Sequence, residues 1–419
     1  MVLPQVRLLI RSRGIKPGTW LRGPLASFAS QATGLVQLGL LLSHGGATRA
    51  TDAYFYLFSL GLTPTLILLY GLMYPLLLNE QQVSRAGLRR IRTSGPVLSA
   101  VFVVAGCGWL RLRGRLDDDM LPLIVLLAGN AVVQNRLLFR AVAAEAGGSA
   151  LWISGVALPA NLAACTVLLI PWKTSLSSAV AMVAALLIGN SIFLMLTARR
   201  GVGRGVLDEA PVEPATRGGG LWFLSKASIG YASQITLSSL AVLLPASNVT
   251  FLSLASKIVG AVSTGLANAI MPVFVHRLTA TPTAARKFLR VLTALLAVIG
   301  LVGITLVGLL KPSITVAALI VAIWIVTSSA AVVSQRMAFR FLPANASRFS
   351  MIAMAAIVGL ALASSSARAF DLDALLCAYA ALDGVSAGLL LRAMKDVTMT
   401  LVLAFALIGI VAIWVTTLV

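Results

Sequence analysis

Two charged residues stand in surroundings that should exclude charge. Lys257, in Ala255-Ser256-Lys257-Ile258-Val259-Gly260, and Asp383, in Ala380-Ala381-Leu382-Asp383-Gly384, each break a long aliphatic run. If those runs cross a membrane, each charge costs about 2.5–3.5 kcal/mol to insert, and the default reading of such a residue is functional. A lysine can meet an anionic substrate, or carry its charge outward along a flexible stem. A short aspartate in mid-span cannot escape, so Asp383 is a candidate for holding a cation or a proton, or it neutralises Lys257. Lys226, close to the inner end of its run, reads as a lysine that reaches the interface. Gln31 and Gln234 add amides that hydrocarbon cannot satisfy. They line a wet cavity or bond neighbouring helices.

The remaining reactive side chains assemble nothing. His44 and His276 are expected at opposite membrane sides, with no metal-ligand spacing, and no outer loop is long enough to build a catalytic site. Cys107, Cys165 and Cys377 lie far apart within apolar runs, which suggests neither a disulfide framework nor a zinc site. Asp117-Asp118-Asp119 follows Arg111, Arg113 and Arg115; successive carboxylates do not converge on one ion, so a solvated loop with a helix cap is expected. Thr51-Asp52 likewise reads as a cap opening a span. Gly201, Gly203 and Gly205 lack the strand and the Gly-Lys-Ser/Thr of a phosphate loop. No catalytic residue, metal or cofactor is therefore expected.

What must position Lys257 and Asp383 is a set of membrane helices. The 419-residue chain is 59% hydrophobic and 11% charged, with a mean hydropathy of +0.96, whereas soluble domains carry about a quarter charged residues. A span needs about 20 apolar residues. Thirteen runs qualify: 24–43, 52–78, 94–110, 120–141, 150–170, 176–198, 222–244, 249–275, 288–310, 313–335, 346–365, 371–391 and 398–417.

These runs repeat. Val132-Val133-Gln134-Asn135-Arg136-Leu137-Leu138-Phe139-Arg140 returns as Val332-Val333-Ser334-Gln335-Arg336-Met337-Ala338-Phe339-Arg340, identical at five of nine positions. Phe28-Ala29-Ser30-Gln31 is echoed by Tyr231-Ala232-Ser233-Gln234, and Met73-Tyr74-Pro75 by Ile270-Met271-Pro272, at offsets of 203 and 197. The expected architecture is all-α: two homologous six-helix bundles around a central cavity, plus one extra C-terminal helix. The divisions are a basic N-terminal tail (1–23), a first bundle (24–198), a mobile linker (199–221), a second bundle (222–393) and the extra helix (394–419). Ser27, Ser30, Gln31, Gly34 and Gln37 share one face of the first span, as do Tyr231, Gln234 and Ser238 on its counterpart. Gly61, Pro64, Gly71 and Pro75 interrupt the second span, and Gly260, Gly265 and Pro272 its partner. Interruptions at matching places mark cavity-lining elements, or bland kinks.

The net charge of +20 is mainly topological. With the N-terminus in the cytoplasm, the inner side gathers Arg85, Arg89, Arg90, Arg92, Arg136, Arg140, Arg199, Arg200, Arg204, Arg286, Arg290, Arg336 and others. The outer side keeps Arg49, Arg111, Arg113, Arg115, Lys173, Lys311 and Arg368. The bias follows the positive-inside rule and leaves attraction to anionic membrane lipid as a secondary effect. No nucleic-acid role is implied.

Together these features resemble the MOP superfamily of exporters, which includes MurJ lipid II flippases, Wzx-type flippases and MATE drug exporters. Ala50-Thr51-Asp52-Ala53-Tyr54-Phe55, with Phe58 and Leu60, looks like the second-helix opening of MurJ-like proteins. Ala255-Ser256-Lys257-Ile258, with Gly265, Leu266 and Pro272, looks like their eighth helix. The resemblance implies alternating access and movement of an undecaprenyl-pyrophosphate-linked saccharide, a peptidoglycan precursor or polysaccharide repeat unit, from the inner to the outer leaflet. It places Lys257 where that family has a cavity arginine. The first two spans lack the arginines of MurJ, and one extra helix stands where MurJ has two.

The leading expectation is a lipid-linked saccharide flippase of a bacterial cytoplasmic membrane, serving cell-wall or polysaccharide biosynthesis. It is expected to be a monomer, with envelope-synthesis enzymes as candidate partners. Gln31, Gln234 and Lys257 are the substrate-binding candidates and Asp383 the coupling candidate. No ATP-binding motif is present, so Na+, H+ or the membrane potential would drive it; one charge crossing the field gains about 2.3 kcal/mol per 100 mV. An ion-coupled small-molecule exporter of MATE type is the alternative. An envelope-polysaccharide enzyme and a non-transporting scaffold rank below both.

Overall fold

The computed structural model describes residues 22–78, 84–147, 149, 151–209, 219–276, 282–342, 348–366 and 370–418, all in helices and their connections. The basic tail before residue 22, most of the expected linker and the side chains of Pro272, His276, Phe339 and Arg340 lie outside the described residues.

Six helices come first: α1 (Arg22–Ser43), α2 (Arg49–Thr65, continuing through Leu66–Met73 and Tyr74–Leu78), α3 (Arg85–Leu112), α4 (Leu121–Ala146), α5 (Leu158–Leu168) and α6 (Ser175–Arg199). Side chains start several of them. Thr48 and Thr51 form a reciprocal capping box on α2, Thr174 and Ser177 do the same on α6, and the Ser84 hydroxyl accepts from Gly87 N on α3. Each cap satisfies amides that an apolar helix leaves orphaned at its first turn. In α2 the residues after Pro64 wind as a π-helix over Leu66–Met73. The expected interruption is therefore a widened turn within a continuous helix.

The second six are α7 (Gly219–Ala241), α8 (Asn248–His276), α9 (Pro282–Leu310), α10 (Thr315–Phe341), α11 (Arg348–Ser365) and α12 (Leu372–Ala393). A final helix, α13 (Val397–Leu418), packs on α12 and α10. Among the described residues eleven helices are long and apolar enough to cross a membrane. Against the thirteen expected runs, α7 and α8 are absent from that set. Over residues 225–239, α7 carries Ser225, Lys226, Ser228, Tyr231, Ser233, Gln234, Thr236, Ser238 and Ser239; in α8 the apolar stretch described is the shorter Asn248–Ser263.

Packing divides the chain into two bundles. In the first, α1 rests on α5 and α6, α2 on α3 and α4, and α4 on α6. In the second, α10 and α12 form the centre, with α9 and α8 against α10, and α11 against α12 and α7. The bundles meet where α1 packs on α8 and α2 on α7, so each half sends its first helix to the other's second. Exposed Val97, Val101, Val104, Val298, Leu301, Leu306, Phe405 and Ile408 form the outward apolar surface such a bundle presents to lipid.

The part of the expected linker that is described is not a free hinge. After α6 the chain turns at Gly201 and Gly203, both at positive φ, and a short helix, Arg204–Glu209, packs back on α4 and α3.

Candidate functional site

A cavity of about 170 Å³ lies where α1, α2, α4, α5 and α6 approach α8. Ser30, Gln31, Gly34 and Gln37 bring the polar face of α1 to it. Tyr54, Phe58 and Leu62 come from α2, Gln134 from α4, Asn161 from α5, Asn190 from α6 and Lys257 from α8. Neighbours hold the amides in place: Asn161 Nδ2 donates to Ser30 O at 3.1 Å, Asn190 Nδ2 to Asn130 Oδ1 at 2.9 Å, and Gln37 Nε2 to Met182 Sδ at 3.1 Å. The Gln134 Oε1 oxygen is buried with no hydrogen-bond partner among the described residues. Lys257 brings the one formal charge among the described lining residues, and its Nζ sits 5.9 Å from the centre of the Phe58 ring, within cation–π range. A cation beside amides, hydroxyls and a phenol suits anionic, phosphoryl or hydroxyl-rich ligands and repels organic cations.

Asp383 belongs to a different place. Its Oδ2 accepts from Trp324 Nε1 at 2.9 Å. The Trp324 ring lies 5.1 Å from that of Tyr379, whose hydroxyl meets Ser238 Oγ at 2.7 Å and Gln234 O at 3.0 Å. Among the described residues no ion pair joins Asp383 to Lys257, so the two charges do not meet directly. Of the four residues singled out by sequence, Gln31 and Lys257 share the cavity. Asp383 and the backbone of Gln234 belong to a network inside the second bundle, and the Gln234 side chain is exposed and outside the cavity lining.

Two cross-bundle clusters flank the cavity, and sequence reasoning passes over both. On one face, Asp52 does not cap its own helix. Its Oδ2 accepts from Ser247 N at 2.7 Å, and its Oδ1 from Thr250 N at 2.8 Å and Thr250 Oγ1 at 2.6 Å, at the start of α8. The first bundle thus caps a helix of the second, placing a carboxylate at the positive helix end. Ser247 Oγ also donates to Ala47 O, and Arg115 Nη2 to Leu244 O at 2.6 Å.

On the opposite face, Glu145 of α4 is buried to 1% exposure and meets Arg336 of α10 at 3.6 Å. Tyr74 donates to Glu145 Oε1 at 3.3 Å. The charge bias places Arg336 on the inner side; its side chain is only 13% exposed, whereas its repeat counterpart Arg136 remains exposed. The only hint in the sequence is an isolated acid, Glu145, among alanines at the end of a span.

No protein-family model matches this chain, and no curated protein matches it. Among solved structures, the crystal structure of the eukaryotic MATE transporter AtDTX14 superposes with a TM-score of 0.53, covering 94% of this chain and 98% of that one, at 13% identity. The chain has a MATE-like fold. At that identity the likeness concerns architecture, and the cavity residues must be read on their own chemistry.

Proposed function

We propose that this protein is an alternating-access membrane transporter, and that its cargo binds at Lys257. The observation that carries this reading is the arrangement around Lys257: a polar cavity at the meeting of two bundles, flanked on either face by cross-bundle polar contacts. Opening one flank while the other stays closed would expose the cavity to each side in turn. Asp383, sequestered in the second bundle, would couple an ion or proton to that cycle. The charge bias along the chain puts the Glu145 face in the cytoplasm.

The architecture favours an ion-coupled exporter of a small solute, as in the MATE reading. The lining selects among such solutes: with Lys257 and no carboxylate among its described residues, the cargo is neutral or anionic. A cavity of about 170 Å³ is smaller than typical ligand sites of about 300–1,000 Å³, so a bulky cargo would require it to widen. A second reading, an undecaprenyl-linked saccharide flippase, draws support from the same lysine, which would meet a pyrophosphate.

Reconstituted vesicles test both. The parent should move either a fluorescent small organic anion or a lipid-linked saccharide, and Lys257→Gln should slow that cargo at least about tenfold, the loss of roughly one charge-assisted contact. Parent vesicles that move neither, or a Lys257→Gln variant as fast as the parent, would overturn the assignment.

A further inference from the structure

We infer that the start of α8 carries an exchangeable cap: Asp52 of the first bundle holds it while the bundles are closed on that face, and Ser247 takes it over when they part. The two halves of the chain open their second helices with one pattern. Thr48-Arg49-Ala50-Thr51 starts α2, and 199 positions on Ser247-Asn248-Val249-Thr250 starts α8. In the first copy the pattern closes on itself as a capping box. Thr48 has φ −133°, its hydroxyl accepts from Thr51 N at 3.4 Å, and Thr51 Oγ1 accepts from Thr48 N at 2.8 Å.

In the second copy the same groups are present and the box is open. Ser247 O accepts from Phe251 N at 3.0 Å, which makes Ser247 the cap residue of α8. Yet Ser247 N, Thr250 N and Thr250 Oγ1, three groups that a box would use, all turn to the Asp52 carboxylate at 2.7, 2.8 and 2.6 Å. The fourth group, the Ser247 hydroxyl, donates to Ala47 O at 2.8 Å. Asp52 therefore occupies the place that Ser247 and Thr250 would fill for each other.

The backbone records the displacement. Ser247 stands at φ +84°, a left-handed conformation that disfavours any residue with a Cβ, whereas cap residues prefer the extended region in which Thr48 sits. Such a conformation persists only while its surroundings impose it. Here the bonds from Ser247 to Asp52 and Ala47, both across the seam, impose it. When Asp52 withdraws, Ser247 is free to take the Thr48 conformation, its hydroxyl accepting from Thr250 N and Thr250 Oγ1 from Ser247 N. The first turn of α8 is then capped in both states, so parting the bundles costs less than three broken bonds would suggest. The inference rests on the alternating-access proposal in one respect, that this face opens.

The test reads the Thr250 amide in the full chain in lipid nanodiscs, by hydrogen–deuterium exchange with single-residue fragmentation. It needs no cargo, so a chain that fails to transport still gives an answer. Asp52→Ala should speed exchange of that amide less than about twofold, because Ser247 takes it over. Asp52→Ala/Ser247→Ala should exchange about fivefold faster than Asp52→Ala, the loss of one cap. Asp52→Ala/Ser247→Thr should restore the slow rate, as Thr48 does for Thr51. Equal rates in Asp52→Ala and Asp52→Ala/Ser247→Ala, or a threonine that restores nothing, would overturn the inference. If the double variants do not fold, Ser247→Gly and Ser247→Ala decide with Asp52 intact. Both lack the hydroxyl, and glycine alone accepts a positive φ without strain, so spin-label distances between α2 and α8 should show a closed-to-open ratio about tenfold higher in Ser247→Gly. The same distribution in both would remove the strained closed state, and the exchange of caps with it.

Discussion

Thr51 and Thr250 meet hydroxyl to hydroxyl at 3.0 Å. They are 199 positions apart, within the drift of the internal repeat, and each stands in the first turn of its half's second helix. A residue bonded to its own copy marks the axis relating the two halves, as in a symmetric dimer interface. The symmetry stops there: the next residue is Asp52 in the first half and Phe251 in the second, so one half caps the other without reciprocation. Asp52→Ala removes the acceptor of three bonds at the start of α8. It should weaken closure of that face by about 1–3 kcal/mol. Spin-label distances between α2 and α8 should lengthen or broaden in Asp52→Ala and change less in Asp52→Asn. A distribution identical to the parent's in Asp52→Ala would show that the cap does not hold the face shut.

The other face rests on a buried pair. Glu145→Gln or Arg336→Gln alone removes one side of the 3.6 Å contact and leaves the other charge with little water, a loss of about 3–5 kcal/mol. The double variant, having neither charge, should recover much of it. A double-mutant cycle on thermal stability would measure this coupling; additive losses would mean that Glu145 and Arg336 do not act as a pair. Tyr74→Phe, which removes one donor to Glu145, should cost about 1 kcal/mol.

The repeat and the apolar runs make the helical order and the two-bundle architecture legible, because hydrophobic length and duplicated pattern are local properties of the chain. Lys257 and Gln31 could be placed in one cavity for a related reason: each is a polar group on a helix face that lipid could not satisfy. Partnerships across the seam were not legible. Asp52 looks like a cap for its own helix, and only the docking of α8 shows that Thr48 does that work and frees Asp52 for the other bundle. Arg136 and Arg336 share one motif, yet one is exposed and the other lies largely covered against Glu145. Nothing in the motif tells them apart, because the difference lies in what packs opposite. Asp383 invites pairing with Lys257 by charge alone, but geometry gives it Trp324.

Gly71 sets how closely the bundles approach near the Glu145 face. A Cβ there would lie 2.1 Å from the Ala227 Cβ of α7, so any side chain must push α2 and α7 apart. Gly71→Val should hold that face open, and Ala227→Gly should relieve Gly71→Ala. Labelling a cysteine at position 134 with an impermeant thiol reagent, with Cys107, Cys165 and Cys377 replaced, reads the opening. Labelling no faster in Gly71→Val than in the parent background would show that α2 and α7 separate freely without exposing the cavity.

Asp383 and Lys257 should fail in different ways, because one lies in the second-bundle network and the other in the cavity. Lys257→Gln should raise the cargo concentration needed for half-maximal exchange, with or without an imposed gradient. Asp383→Asn keeps an acceptor for Trp324 but removes the charge, so cargo exchange at equilibrium should persist while acceleration by a Na+ or proton gradient is lost. Vesicles loaded with cargo on both sides measure exchange; the same vesicles under a pH or Na+ jump measure coupling. Equal loss of both readouts in Asp383→Asn would make the residue structural, and full gradient response in that variant would place the coupling group elsewhere.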